Sequence, residues 1–136
     1  MTDIMGAMGT ALYSKLSGGT ALTTALGGTA IYADQAPDGT SLPYVIFSHM
    51  AGGPENITPR DYRSHLWFVR AYAATRGSAN VYDGHISDLL HKGSLTVSGW
   101  TAFWLVREED FSLIENLPNG NKVYMAGATY RVRLSE

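Results

Sequence analysis

The chain has 136 residues, a formal net charge of −2 and no cysteine. This length predicts one domain over residues 1–136, with room for a sizeable core. The slightly acidic balance argues against a dedicated nucleic-acid binder, the missing cysteines exclude disulfides and thiolate metal sites, and no stretch is apolar enough to cross a bilayer. Charged residues make up only 16% of the chain against 45% hydrophobic residues, so we expect surface that is buried between subunits.

The first third of the chain predicts a helix followed by a shorter helical turn. Apolar residues from Ile4 to Leu16 recur at helical spacing, and Thr2 or Asp3 can cap the helix. Residues 20–26 form the short turn, and glycine pairs end both segments.

Three strands are predicted next, over residues 31–34, 43–50 and 65–74. Pro, Asp and Gly mark residues 36–42 as a loop. Residues 52–62 are rich in Gly and Pro, so we interpret them as a long connection without secondary structure, between two antiparallel strands.

The strand over residues 65–74 is apolar on both sides. One side carries Leu66, Phe68 and Tyr72 with Arg70, and the other carries Trp67, Val69, Ala71 and Ala73. This pattern predicts cover on both faces, or cover of one face by a partner subunit. The helix that follows is predicted to bury Tyr82, Ile86 and Leu89, with Ser78 as its N-cap and Gly93 as its C-cap.

The last third predicts two more strands, over residues 100–108 and 123–134. Residues 108–121 between them are interpreted as a second long connection, in which residues 111–114 could continue the strand and Asn119-Gly120 marks a hairpin turn. Gly127 is a candidate bulge. The whole pattern predicts an α+β fold in the order α-β-β-β-α-β-β, with a mainly antiparallel sheet of about four to five strands and both helices packed on one face.

Catalytic and metal-binding patterns are weak in this sequence. His49 and His65 can approach each other across the first hairpin, and we favour ordinary hydrogen bonds over a metal site there. Glu108, Glu109 and Asp110 are consecutive on a strand and therefore poorly placed as converging carboxylates. No nucleophile, phosphate-binding or dinucleotide-binding motif is present. We therefore predict no catalytic residue, no metal and no cofactor.

The order of several motifs resembles the tail-completion family of long-tailed bacteriophages, whose members include tail terminators, also described as tail-to-head joining proteins. The resemblance lies in the N-terminal helix, ALTTALGG, AIYADQAPDGTSLPYVIFSHMAGG, LWFVRAYAATRGSANVYDGHISDLLHKG and the terminal YRVRL strand. Together these segments cover nearly the whole chain.

The resemblance implies a structural role without enzymatic activity. Such proteins form rings, most often hexamers, at the head-proximal end of the tail tube, stop its polymerisation and present a surface to the neck. It implies a virion location after assembly in the host cytoplasm, with DNA passing the lumen without specific binding. The alternatives that remain are a neck or head-closure protein contacting the portal or adaptor, and a small-molecule binder or enzyme with a pocket between helix and sheet.

Partner contacts are expected on the two long connections, because loops on a rigid sheet carry much of protein recognition. The acids at 108–110 can steer a basic partner, line a channel for DNA, or simply face solvent. The candidate interface residues are Glu55, Arg60, Asp61, Tyr62, Arg63, Glu108, Glu109, Asp110 and Phe111.

Overall fold

The computed structural model describes residues 3–56 and 61–136. It has an α+β fold in which helices pack on one face of a mixed six-stranded sheet of order β1-β2-β3-β6-β5-β4. The helices are α1 (Ile4–Ser17), α2 (Thr20–Leu26) and α3 (Arg76–Leu90). The strands are β1 (Ile31–Ala33), β2 (Tyr44–Pro54), β3 (Tyr62–Ala73), β4 (Thr96–Val97), β5 (Trp100–Asn116) and β6 (Lys122–Ser135).

The fold class is confirmed, but the sheet is larger and less uniform than the sequence predicted. The predicted order lacks β4, which pairs only two residues with β5 and is too short to show a period of two. It also did not foresee that β1 runs parallel to β2, with Ile31 opposite Val45. Strand direction depends on how the chain crosses the fold, and local periodicity contains no information about it.

The helices cover one face of the sheet as expected. Ile4, Met8, Leu12 and Leu16 of α1 are buried, and the Asp3 side chain accepts a hydrogen bond from the Gly6 amide as the predicted N-cap. On this face they meet the buried residues of three central strands, which are Val45 and Phe47 of β2, Trp67, Val69 and Ala71 of β3, and Ala128, Tyr130, Val132 and Leu134 of β6.

The caps of α3 differ from the prediction. Thr75 is the N-cap, and its hydroxyl accepts from the Ser78 amide at 3.1 Å. The helix ends at Leu90, before Gly93, because the C-cap His91 is extended, and Lys92 then takes the left-handed conformation with φ 58°. Gly93 is still required there, since a side chain would collide with the carbonyl oxygen of Leu89.

The buried stripe of α3 also shifts from the predicted one. Ile86 is fully buried as expected, whereas Tyr82 and Leu89 are only half-buried. Ala79 and Leu90 complete the buried set. The helix is therefore rotated slightly about its own axis, relative to the orientation that the hydrophobic spacing predicted.

The second long connection predicted from the sequence is largely strand, and the first is strand at its two ends. β5 continues through Glu108 to Asn116, so the second connection is only the turn over residues 117–121. β2 extends to Pro54 and β3 begins at Tyr62, which shortens the first connection to residues 55–61. Glu109 and Asp110 pair with Thr129 and Ala128 of β6, and Glu108 lies at the irregularity just before them, so the acids continue β5 while their side chains are exposed.

The bulge predicted at Gly127 is wrong. Pairing of β6 with both neighbours is continuous there, and the irregularities lie in β2 between His49 and Ala51 and at two points in β5. Gly127 instead permits a close approach, because an added Cβ would lie 2.6 Å from the Cβ of Arg70.

Candidate assembly surface

The second face of the sheet, called here the open face, is covered by none of the helices described. Most of its central residues are half-buried, while Ile46 and Thr129 are buried. The pairing register assigns to it Tyr44, Ile46 and Ser48 of β2, Ser64, Leu66, Phe68, Arg70 and Tyr72 of β3, Thr129, Arg131 and Arg133 of β6, and Val106, Phe111 and Leu113 of β5.

One part of the open face, around Arg70, is built from packed aromatic rings and this arginine. Phe68 and Phe111 pack with centroids 5.2 Å apart, and the Arg70 guanidinium lies 4.7 Å from the centroid of Phe68. Arg70 also donates to the hydroxyl of Tyr72, whose ring packs 5.2 Å from Tyr44. Burial, with Tyr72 and Glu115 nearby, raises the pKa of Tyr44. Rigid aromatic and arginine side chains of this kind dominate many protein interfaces.

Two ion pairs lie on another part of the open face, around Arg131 and Arg133 of β6. Arg133 contacts Glu55 at 3.1 Å, and Arg131 contacts Glu108 at 3.3 Å. Next to the first pair, the guanidinium of Arg133 lies 5.3 Å from the ring centroid of Phe103. The hydrogen bond with Glu55 raises the pKa of Arg133, which therefore stays charged. Both pairs are partly exposed and available to an approaching partner.

The third acid of the sequence cluster lies on a different network. Asp110 contacts Arg107 at 2.6 Å, and Arg107 also holds Asp83 of α3 at 2.7 Å. Arg107 donates to the hydroxyl of the buried Tyr130 on the helix-covered side. Burial by itself would lower the pKa of Arg107, but hydrogen bonds to the two carboxylates raise it. A bulge between Arg107 and Glu109 separates the cluster in this way.

The predicted interface residues therefore fall into separate groups. Glu55, Tyr62, Glu108 and Phe111 contact residues of the open face or its margin, whereas Asp110 belongs to the Arg107 network. Two others lie at the hairpin end: the Asp61 carbonyl accepts from the Glu136 amide, and Arg63 turns toward His65. Glu109 is exposed and forms no ion pair with a described residue. Arg60 lies outside the described residues.

Exposed apolar side chains of β5 were not among the predicted interface residues. Phe103 and Trp104 are each 47% exposed, and Leu113 and Ile114 are each 55% exposed. The sequence contained a signal for them, because two pairs of large apolar residues flank the charged residues 107–110. A bulge between Ala102 and Trp104 lies beside Phe103 and Trp104, and in the described sheet β4 pairs only with Trp100 and Thr101, so the rest of β5 is an edge.

The predicted approach of His49 and His65 is confirmed, with Nε2 of His49 2.9 Å from Nδ1 of His65. Their other described partner is Arg63, which cannot ligate a cation. The described residues contain no group of three side chains suited to hold a metal ion. Among the same residues, no helix has the length and hydropathy needed to cross a membrane.

This architecture defines a small α+β protein whose sheet has one helix-covered and one open face. The family described as tail completion protein gp17 matches residues 10–135, nearly the whole chain. The chain belongs to this family, which confirms the resemblance carried by its motifs. It is therefore a structural tail protein of a phage-type virion.

Solved structures share the fold at low sequence identity. A chain in a structure described as the virion of a native gene transfer agent particle matches with a TM-score of 0.78 and 19% identity, each chain covered completely. A second solved chain matches with a TM-score of 0.57 and 13% identity over 96% of each chain. No curated protein sequence shows a significant match. The structural likeness supports the fold, and the family match supports the role.

Proposed function

We propose that this protein is a tail terminator: it caps the head-proximal end of the tail tube, stops its polymerisation and helps to join the tail to the head. The family match over residues 10–135 carries this proposal. The likeness to a chain of a gene transfer agent particle is consistent with assembly inside a virion. In this role the protein binds other proteins and catalyses no reaction.

The open face supports a protein that works in an assembly. It presents aromatic rings, arginines and exposed apolar side chains on a rigid sheet. Contiguous apolar surface on a soluble protein commonly marks an interaction site. A head-to-tail contact repeated about one axis closes into a ring, for which we propose six copies. A net charge of −2 suits a ring through which DNA passes without being held.

We propose that contacts with other tail proteins involve the open face and its margins. Glu55, Tyr62 and Arg63 belong to the β2–β3 end, and Asp61 lies beside them. Glu108, Glu109 and Phe111 belong to the exposed stretch of β5, with Asp110 on its other side. Arg60 completes the first group by sequence. Opposite charges at a rim mainly steer encounter, while aromatic anchors supply affinity.

Electron microscopy of the protein mixed with purified tail tubes tests this proposal. We expect a ring-shaped cap at one end of each tube, and no further growth at that end when tube subunits are added. Binding along the tube wall, or no binding to tubes, would contradict the proposal. Binding to portal or adaptor rings without binding to tubes would identify a neck or head-closure protein instead.

The stoichiometry is tested separately by mass measurement of the capped end and by light scattering of the free protein. We expect six copies per cap, and a smaller species in dilute solution if the tube end templates the ring. A different number of copies in the cap would overturn the hexamer while leaving the terminator role intact.

A further inference from the structure

Three nitrogen-bearing side chains form a continuous hydrogen-bonded chain near the end of the β2–β3 hairpin. Nε of Arg63 donates to Nε2 of His65 at 3.1 Å, and Nδ1 of His65 lies 2.9 Å from Nε2 of His49. His65 is only 1% exposed, so water does not replace these bonds. The backbone is shaped around this ring, because a Cβ at Gly52 would lie 2.7 Å from Nδ1 of His65.

The Arg63 donor fixes the proton positions along all three hydrogen-bonded side chains. An arginine Nε always carries hydrogen and can only donate, so Nε2 of His65 must be an unprotonated acceptor. The proton of neutral His65 therefore lies on Nδ1 and is donated to Nε2 of His49. His49 in turn carries its own proton on Nδ1. Each imidazole has one defined tautomer, and both rings are neutral.

The charged groups around His65 disfavour a second proton. Arg63 on β3 contacts His65 directly, whereas Arg131 on β6 acts from the opposite face of the sheet and its charge is partly balanced by Glu108 on β5. On the β1 side, Asp34 lines a cavity of about 210 Å³ together with His49 and Trp67. Burial first, and then His49, Arg63 and Arg131, lower the pKa of His65 to about 4. Burial also lowers the pKa of His49.

We propose that Arg63, His65 and His49 form an acid-sensitive latch that holds the end of the β2–β3 hairpin closed. A proton on Nε2 of His65 would face the N–H of Arg63, and a proton on Nε2 of His49 would face the N–H of His65. Either event sets two donors against each other and breaks a bond of the latch. The backbone pairing of β2 with β3 at Gly53 and Pro54 is then left without this side-chain support, and the residues next to it are Glu55, Asp61 and Tyr62.

The acid range follows from the direction of the shift. An opened hairpin exposes His65 to water, where its pKa returns to about 6.5. As the pH falls below that value the open form takes up a proton first, so closure is lost progressively between about pH 6.5 and 4. At pH 5 the open population should rise up to about 30-fold relative to pH 7.5, from the pKa near 4 in the closed form.

NMR of the free protein tests the latch directly. Nitrogen-15 spectra at pH 7.5 should show the Nδ1–H tautomer for both His49 and His65, whereas free histidine favours the other one. Finding hydrogen on Nε2 of His65 would overturn the inference.

Hydrogen exchange supplies the second test. Amide protection in residues 50–54 and 62–66, corrected for intrinsic exchange, should fall from pH 7.5 to pH 5. His49→Gln keeps an acceptor for His65 but removes one titrating ring and its lowering effect on the pKa of His65, so it should weaken this dependence in part, whereas His85→Gln, on α3, should leave it unchanged. A protection pattern independent of pH, or an equal response to both substitutions, would contradict the latch.

The link from the latch to assembly rests on the proposed tail role, and its test is kept apart. Capping of tail tubes by His49→Gln protein should be less sensitive to pH 5 than capping by the unsubstituted protein. If exchange responds to acid but capping does not, the latch stands without a role in assembly. If no capping occurs at any pH, the terminator role falls while the latch remains tested by NMR.

Discussion

The two faces of the sheet are built from the same strands but meet different surroundings. Along β3, Trp67, Val69 and Ala71 are buried under the helices, while Phe68 and Arg70 on the alternate positions remain half-exposed. Both sets contain large or apolar side chains of the kind that proteins bury. Within residues 3–56 and 61–136, the helices cover only one of the two faces. We propose that the helix-covered face supplies most of the stability and that the open face serves assembly.

The largest effect is expected from a charge placed under the helices. Ile86 of α3 is fully buried, so Ile86→Asp introduces an unpaired buried carboxylate and should lower the free energy of unfolding by about 3–5 kcal/mol. Thermal or denaturant unfolding measures this. Val81→Asp on the exposed side of the same helix is the matched control and should cost less than about 1 kcal/mol. Equal losses of stability for both variants would mean that Ile86 and Val81 do not differ in burial as described.

The next largest effect on the free energy of unfolding is expected from breaking an ion pair on the helix-covered face, compared with one on the open face. Arg107→Met leaves the largely buried Asp83 without its cation and should cost about 1–3 kcal/mol. Arg131→Met removes the more exposed pair with Glu108 on the open face and should cost less than about 1 kcal/mol. Urea unfolding of both variants gives the comparison. If the second cost matched the first, the open face would contribute to stability as much as the helix-covered face does.

A smaller effect is expected from neutralising the acids of β5 together. Glu108→Gln, Glu109→Gln and Asp110→Asn remove two partly exposed ion pairs, so stability should fall by no more than about 1 kcal/mol. Docking to tail proteins should weaken, and more so at low salt, where charges are less screened. Heads and tails joined at normal yield by this variant would show that the acids are ordinary solvated surface.

The smallest effect on folding should come from the exposed apolar residues of β5. Leu113→Ser with Ile114→Ser removes side chains that are each 55% exposed, and the free energy of unfolding should change by about 0.5 kcal/mol or less. Capping of tail tubes should nevertheless decrease, since these side chains are proposed to be covered in the assembly. Normal capping with this variant would locate the interface elsewhere, and a large loss of stability would show that these residues belong to the core.

Periodicity in the sequence determined the helices, the main strands and their buried sides. The apolar spacing of α1, the alternation along β3 and β6, and the meeting of His49 with His65 were all predictable, because each follows from contacts between neighbours in sequence or across one hairpin. The order of motifs, taken as a resemblance, also indicated the family before any fold was known.

Only the tertiary structure decided which face would stay open and how charges would pair. Alternation shows that β3 has two apolar sides, but whether a helix covers each side depends on how distant segments pack. The sequence predicts that the acids at 108–110 begin the second long connection, which carries more charge, Pro and Gly than a core needs, yet pairing of Glu109 and Asp110 with β6 holds the segment in β5. A bulge beside Arg107 then directs Asp110 and Glu108 to different arginines. Such bulges arise from the fit between two strands far apart in sequence, so neither strand specifies them by itself.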